Sequence, residues 1–165
     1  MRYLYYAAVL FLLSVLQPTL AEAIAIFGVN PNLFLVFVLL VGFFRGKWEG
    51  AVCGLLFGLV FDLLVGRLIG LDAILYMYMG FCTGMLSENY FQASNLFITL
   101  LAAAAATLVC GLVYYLAYWM LWDGVSLWTA LYRTILPECV YNTAFAAVLF
   151  FAVRKTMRLL RMEVH

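Results

Sequence analysis

Long apolar runs, broken by only a few polar residues at a time, fill this chain from residue 3 to residue 154. Runs of more than about 18 apolar residues read as helices that cross a bilayer. The charge content agrees, since only 10% of the 165 residues are charged and 68% are hydrophobic. A soluble domain carries about 25% charged residues. Too little polar surface remains to coat a globule in water. The sequence therefore reads as one transmembrane domain over 1–165 that ends in a short basic tail.

Six spans are expected, at 3–27, 31–45, 48–65, 70–87, 95–120 and 135–154. In oil each backbone polar group must be satisfied within its own segment, which favours helices. The apolar–polar alternation of a membrane barrel is missing. The expected fold class is all-α, a polytopic bundle of six transmembrane helices. Turns are expected at Asn30-Pro31-Asn32, where the proline presets a helix start, at Gly66 and Gly70, and around Pro137, Tyr141 and Asn142 at the entry to the last span. An alternative reading of the first span is a cleaved signal peptide, because Ala21-Glu22-Ala23 follows a basic start and an apolar run. Against it, apolar sequence resumes at once as IAIFGV.

Charge placement orients the bundle. With the N-terminus inside, the inner segments hold Arg2, Arg45, Lys47, Arg154, Lys155, Arg158 and Arg161, and the outer loops hold Arg67 and Arg133. This is a positive-inside bias, with both termini cytoplasmic. The acids Glu22, Asp62, Asp72, Asp123 and Glu138 project outside, and Glu49, Glu88 and Glu163 inside. The acidic outer rim is either solvated loop charge or a surface for a basic partner. The tail RKTMRLLRMEVH is either a plain basic flank or a contact for anionic lipid or a cytoplasmic partner. Trp48, Trp119, Trp122 and Trp128 fall near span ends, where aromatic belts form.

Several chemistries drop out. His165 is the single histidine and the last residue, so no histidine triad or histidine metal cluster fits the core. Cys53, Cys82, Cys110 and Cys139 are widely spaced and read as buried free thiols. No phosphate-binding loop or dinucleotide fingerprint occurs, and no aromatic-interleaved basic patch for nucleic acid. No cofactor and no enzymatic activity is expected. The alanine run 102–106 reads as a smooth packing face.

One motif stands out. Gly50, Gly54, Gly58 and Asp62 recur every four residues on one helix face. Helices gain no hydrophobic reward for meeting in a bilayer, so close backbone approach at small residues drives their association. Gly80 and Gly84 repeat the spacing in the next span. The row is a groove either for packing within the chain or for a partner helix. Asp62 lies 15 residues past Lys47, about 22 Å along a helix at 1.5 Å per residue. An acid so placed is costly to insert and must face protein. Its candidate partners are Arg67, an amide of the Val65-Gly66 turn, or Asn142. A satisfied carboxylate that pins the end of span three is the bland account; an anchor for a partner is the functional one. A proton or ion pathway through Asp62 and Glu22 is weaker, because no relay joins them.

The ordered pieces LLSVLQPTL, NPNLFLVFVLL, RG at 45–46, GAVCGLLFGLVFDLLVGRLIGLDA, YMGFCTG and LPECVYN, with the basic tail, resemble the rod shape-determining MreD family along nearly the whole chain. Asp72 departs from the neutral residue expected after the glycine. The resemblance implies a fold similar to the S-components of energy-coupling-factor vitamin transporters. It also implies a non-enzymatic scaffold in the bacterial inner membrane. Implied partners are an MreC-like protein, MreB, and RodA with its class B penicillin-binding transpeptidase, which build sidewall peptidoglycan. A vitamin-binding S-component is the alternative that the same likeness allows.

Overall fold

A helix of 13 residues with no free side lies at the centre of the fold. The computed structural model describes residues 2–23, 29–65, 70–90, 95–121 and 126–159. Helix α1 is Arg2–Ala23, α2 Leu33–Arg45, α3 Lys47–Val65, α4 Leu71–Tyr90 and α5 Leu96–Leu121. A last helical stretch runs through a short α6 (Leu127–Ala130), a π turn (Leu131–Ile135) and α7 (Leu136–Leu159). The described elements are helical, as expected. Gly66, Arg67, Trp122, Asp123, Arg161, Glu163 and His165 lie outside the described residues.

Helix α2 is the central one because it is apolar all round. Every residue from 33 to 44 is buried, with α1, α3, α4, α5 and α7 around it. At 13 residues it extends about 20 Å, short of the roughly 30 Å hydrocarbon core. Its phenylalanines set the packing. Phe34 meets Phe61 with ring centroids 5.4 Å apart, Phe37 stacks on Phe57 at 5.2 Å, and Phe44 meets Phe150 of α7 at 5.2 Å. Such pairs are each worth about 0.5–1.5 kcal/mol beyond their area. Helix α2 stops at Gly46, whose φ of +90° suits a residue without a Cβ.

Among the described residues, three helices are long and apolar enough to cross a membrane: Lys47–Val65, Leu96–Met120 and Leu127–Met157. The chain is thus an all-α, multi-pass membrane protein. The expectation of six spans goes further than this. Tyr3–Thr19 and Leu33–Arg45 are apolar but shorter. Helix α4 has the length, but it carries Asp72, Thr83, Ser87 and Glu88.

The entry to the last span also differs from expectation. Pro137, Tyr141 and Asn142 are not turn residues; all three lie within α7. Proline has no N–H to give to the preceding turn. The helix absorbs the missing donor by widening to a π turn just before it, where the Leu136 N–H bonds the Leu131 carbonyl. The helix therefore starts at residue 127, earlier than the expected 135.

Side-chain contacts bring the basic residues to one end. The Tyr6 hydroxyl donates to Glu49 at 2.9 Å, which seats the start of α1 beside α3. Arg45 pairs with Glu49 at 2.8 Å and Lys47 with Glu88 at 3.0 Å. The Phe44–Phe150 contact sets Arg154 and Lys155, just beyond it on α7, at the same end. Arg158 is in α7 as well.

Candidate functional site

Helices α3 and α4 form an antiparallel hairpin, and the glycine row is its seam. A Cβ on Gly50 would stand 2.5 Å from the Gly80 carbonyl oxygen and 2.6 Å from Gly42 Cα. On Gly54 it would overlap the Tyr76 carbonyl. On Gly58 it would stand 2.5 Å from the Asp72 carbonyl oxygen and 2.6 Å from Ala73 Cα. Gly84 takes the same role against Lys47 and Gly46 at the other end of the seam. Real Cβ atoms essentially never come within 3.0 Å of such neighbours. Any side chain here forces the two backbones apart. The groove read from the sequence is therefore filled by α4 of the same chain.

Asp62 is the next step of the same row. One turn beyond Gly58, α4 has just begun, and its first amides have no carbonyl to bond. Asp62 meets them. Its Oδ2 accepts the N–H of Gly70 at 2.9 Å and of Ala73 at 3.1 Å, and its Oδ1 accepts the N–H of Asp72 at 3.2 Å. The carboxylate is 2% exposed. A negative charge at a helix N-terminus also opposes the helix dipole favourably. The row of three glycines and one acid is thus one device: the glycines close the seam, and the acid caps the helix that fills it. Gly70 completes the turn with a φ of +97°.

The other end of the hairpin mirrors this. Glu88, in the last turns of α4, accepts the Lys47 N–H at 3.0 Å where α3 begins, and it pairs with the Lys47 ammonium at 3.0 Å. Each helix lends an acid to the N-terminus of the other. Ser87 adds a 2.7 Å bond to the Phe43 carbonyl of α2.

A second polar cluster serves the buried start of α2. Asn32 caps that helix, its Oδ1 accepting the Leu35 N–H at 3.1 Å. The Asn32 N–H donates to Asn142 of α7 at 2.7 Å, and its side-chain amide donates to the Tyr76 hydroxyl. Gln17 of α1 donates to the Pro31 carbonyl at 2.7 Å and accepts the Leu33 N–H at 3.1 Å. Asn142 donates onward to Thr107 of α5 at 3.2 Å. Three helices, α1, α4 and α7, thus bond to a buried helix start, and α5 supports Asn142 from behind.

The structure corrects the sequence reading at specific residues. Asn142 does not pair with Asp62; it serves Asn32, because it lies on the α7 face that meets the start of α2. The amides on Asp62 belong to Gly70, Asp72 and Ala73, since α4 folds back along α3. Asn30 and Pro31 precede α2 as expected, with Pro31 buried and Asn30 exposed. Gln17, Gly42, Tyr76, Thr107 and the capping role of Glu88 were not picked out from the sequence. Gly42 meets the Gly80 carbonyl as closely as Gly50 does. Its one sequence signal was a glycine inside an apolar run. Among the described residues, no group of three or more His, Cys, Asp or Glu side chains is placed to hold a metal ion.

The arrangement consists of caps and seams rather than a reacting centre. The family model for rod shape-determining protein MreD matches residues 2–160, nearly the full length. The chain belongs to the MreD family. No match was found among curated proteins or among solved structures. MreD proteins are structural, and this chain is accordingly a non-enzymatic member. In this MreD-family chain the seam and its two capping acids fall wholly within the matched residues.

Proposed function

We propose that the chain is a non-enzymatic scaffold of the elongasome, the machinery that builds sidewall peptidoglycan and sets rod cell shape. It binds an MreC-type membrane protein and, through it, works with MreB and with RodA and its class B penicillin-binding transpeptidase. The observation that carries this reading is the family match over residues 2–160. In the proposed topology all six helical segments enter the bacterial inner membrane, with both termini cytoplasmic. The gathering of Arg45, Lys47, Arg154 and Lys155 at one end supports that orientation by the positive-inside rule. The short α2 needs no contact with lipid, because its neighbours cover it.

Partner segments meet the chain on faces other than the glycine row, since α4 occupies that row. A pull-down of the tagged protein in mild detergent from its rod-shaped host, read by mass spectrometry, tests the proposal. The expected yield is an MreC-type protein with RodA and its transpeptidase.

The alternative is an S-component-like protein that binds a small vitamin. Its one favourable observation is the convergence of Asn32, Tyr76, Thr107 and Asn142 in the interior, as polar groups converge in ligand sites. These groups bond to one another, however, and so the reading ranks second. Recovery of a transporter energising module or of a bound vitamin would reverse that order.

A further inference from the structure

The cations at the basic end fall into two sets. On α2 and α3, Arg45 and Lys47 are neutralised by Glu49 and Glu88. On α7, Arg154 and Lys155 form no ion pair among the described residues. Arg154 is half-buried, with its guanidinium over the Phe150 ring at 5.8 Å and its Nε without an acceptor. Lys155 is exposed.

What lies beneath these cations decides the ligand. One turn below Lys155 on the same face is Phe151, 60% exposed, and one further turn below is Val148, 69% exposed. The opposite face of α7, with Phe150, Val153 and Met157, is buried in the core. The outward face is thus apolar over two turns and then cationic at Lys155, with the half-buried Arg154 at its edge. An acidic protein segment complements the charge and leaves the apolar turns to bulk lipid. A free phosphate does the same. A phospholipid with an anionic headgroup complements both, with an acyl chain along Val148 and Phe151 and its phosphate at Arg154 and Lys155.

We propose that this strip of α7 is a binding site for an anionic phospholipid of the leaflet at the basic end. The site goes beyond the scaffold reading and does not depend on it. A basic residue near an anionic surface contributes about 1 kcal/mol, or about fivefold in affinity.

The test uses the full-length chain in mixed micelles with equal amounts of phosphatidylglycerol and phosphatidylcholine of the same acyl chains. Bound lipid is counted by native mass spectrometry. The wild-type chain is expected to retain phosphatidylglycerol more than about tenfold over phosphatidylcholine. Lys155→Gln, at an exposed position that tolerates exchange, should cut that preference about fivefold. Arg154→Gln with Lys155→Gln should bring it near parity. Lys47→Gln, which removes a cation already paired with Glu88, should leave it unchanged. The proposal is overturned if the wild type shows no preference, which needs no variant to fold. It is also overturned if Lys155→Gln keeps the full preference. Displacement of the lipid by millimolar inorganic phosphate would reassign the cations to a free anion and overturn the lipid site.

Discussion

The carboxylate of Asp62, one turn before the end of α3, accepts the backbone N–H of Ala73, in the first turn of α4, at 3.1 Å. With the Gly70 and Asp72 amides it makes three such bonds in a site closed to solvent. Asp62→Asn keeps the size but replaces one acceptor oxygen with a donor that faces other donors. The expected cost is about 1–3 kcal/mol, and more for Asp62→Leu, which leaves all three amides bare. Unfolding followed by circular dichroism in mild detergent checks this; an unchanged midpoint for Asp62→Leu would show that the cap contributes little.

Gly54→Ala sets a methyl group against the Tyr76 carbonyl, which is backbone and has nowhere to turn. Overpacking of this kind costs about 1–3 kcal/mol. Leu55, the next residue, is 42% exposed on the other face, and Leu55→Ala should stay within about 0.5 kcal/mol. The yield of monodisperse protein on size exclusion separates the two variants. Equal yields would mean that the seam is looser than its geometry implies.

The start of α2 offers a paired test. Asn142→Leu strands the buried Asn32 N–H, at an expected cost of about 1–3 kcal/mol. Gln17→Leu strands the Leu33 N–H and the Pro31 carbonyl a residue away. Because both serve one helix terminus, the double variant should lose less than the sum of the two. Strict additivity in the unfolding midpoints would indicate two independent sites.

Glu88 and Lys47 should respond unequally. Their ion pair is about a third exposed on both sides, so solvent screening limits it; Lys47→Ala should cost less than about 1 kcal/mol. Glu88→Ala removes the pair and also the acceptor for the Lys47 N–H, adding about 0.5–2 kcal/mol for the lost cap. Thermal melts that rank Lys47→Ala below Glu88→Ala would contradict the capping role.

The four-residue spacing of Gly50, Gly54, Gly58 and Asp62 is a local pattern, and it was legible because residues four apart must share a helix face. What fills that face was not legible. Gly80, Tyr76 and Ala73 meet it only because α4 returns antiparallel. Arg67, an amide of the Val65-Gly66 turn and Asn142 were the candidates for Asp62, yet the donors are Gly70 and the first turn of the next helix. Asn142 reaches Asn32 across 110 residues of chain, a separation that no local pattern encodes. The short length of α2 was visible, but not its place at the centre, which depends on how five other helices wrap it. Pro137 was read as a turn at the entry to the last span, whereas a π turn before it lets the helix continue.

If the glycine row and Asp62 hold the fold together from within, partners dock elsewhere. The direct test is to tag wild type, Gly54→Ala and Asp62→Asn, and to measure in the rod-shaped host both the folded yield and the MreC-type protein recovered per folded molecule. Yield is expected to fall in both variants while recovery per folded molecule stays at the wild-type level. Full yield with lost recovery would contradict it, and would make the row a partner interface.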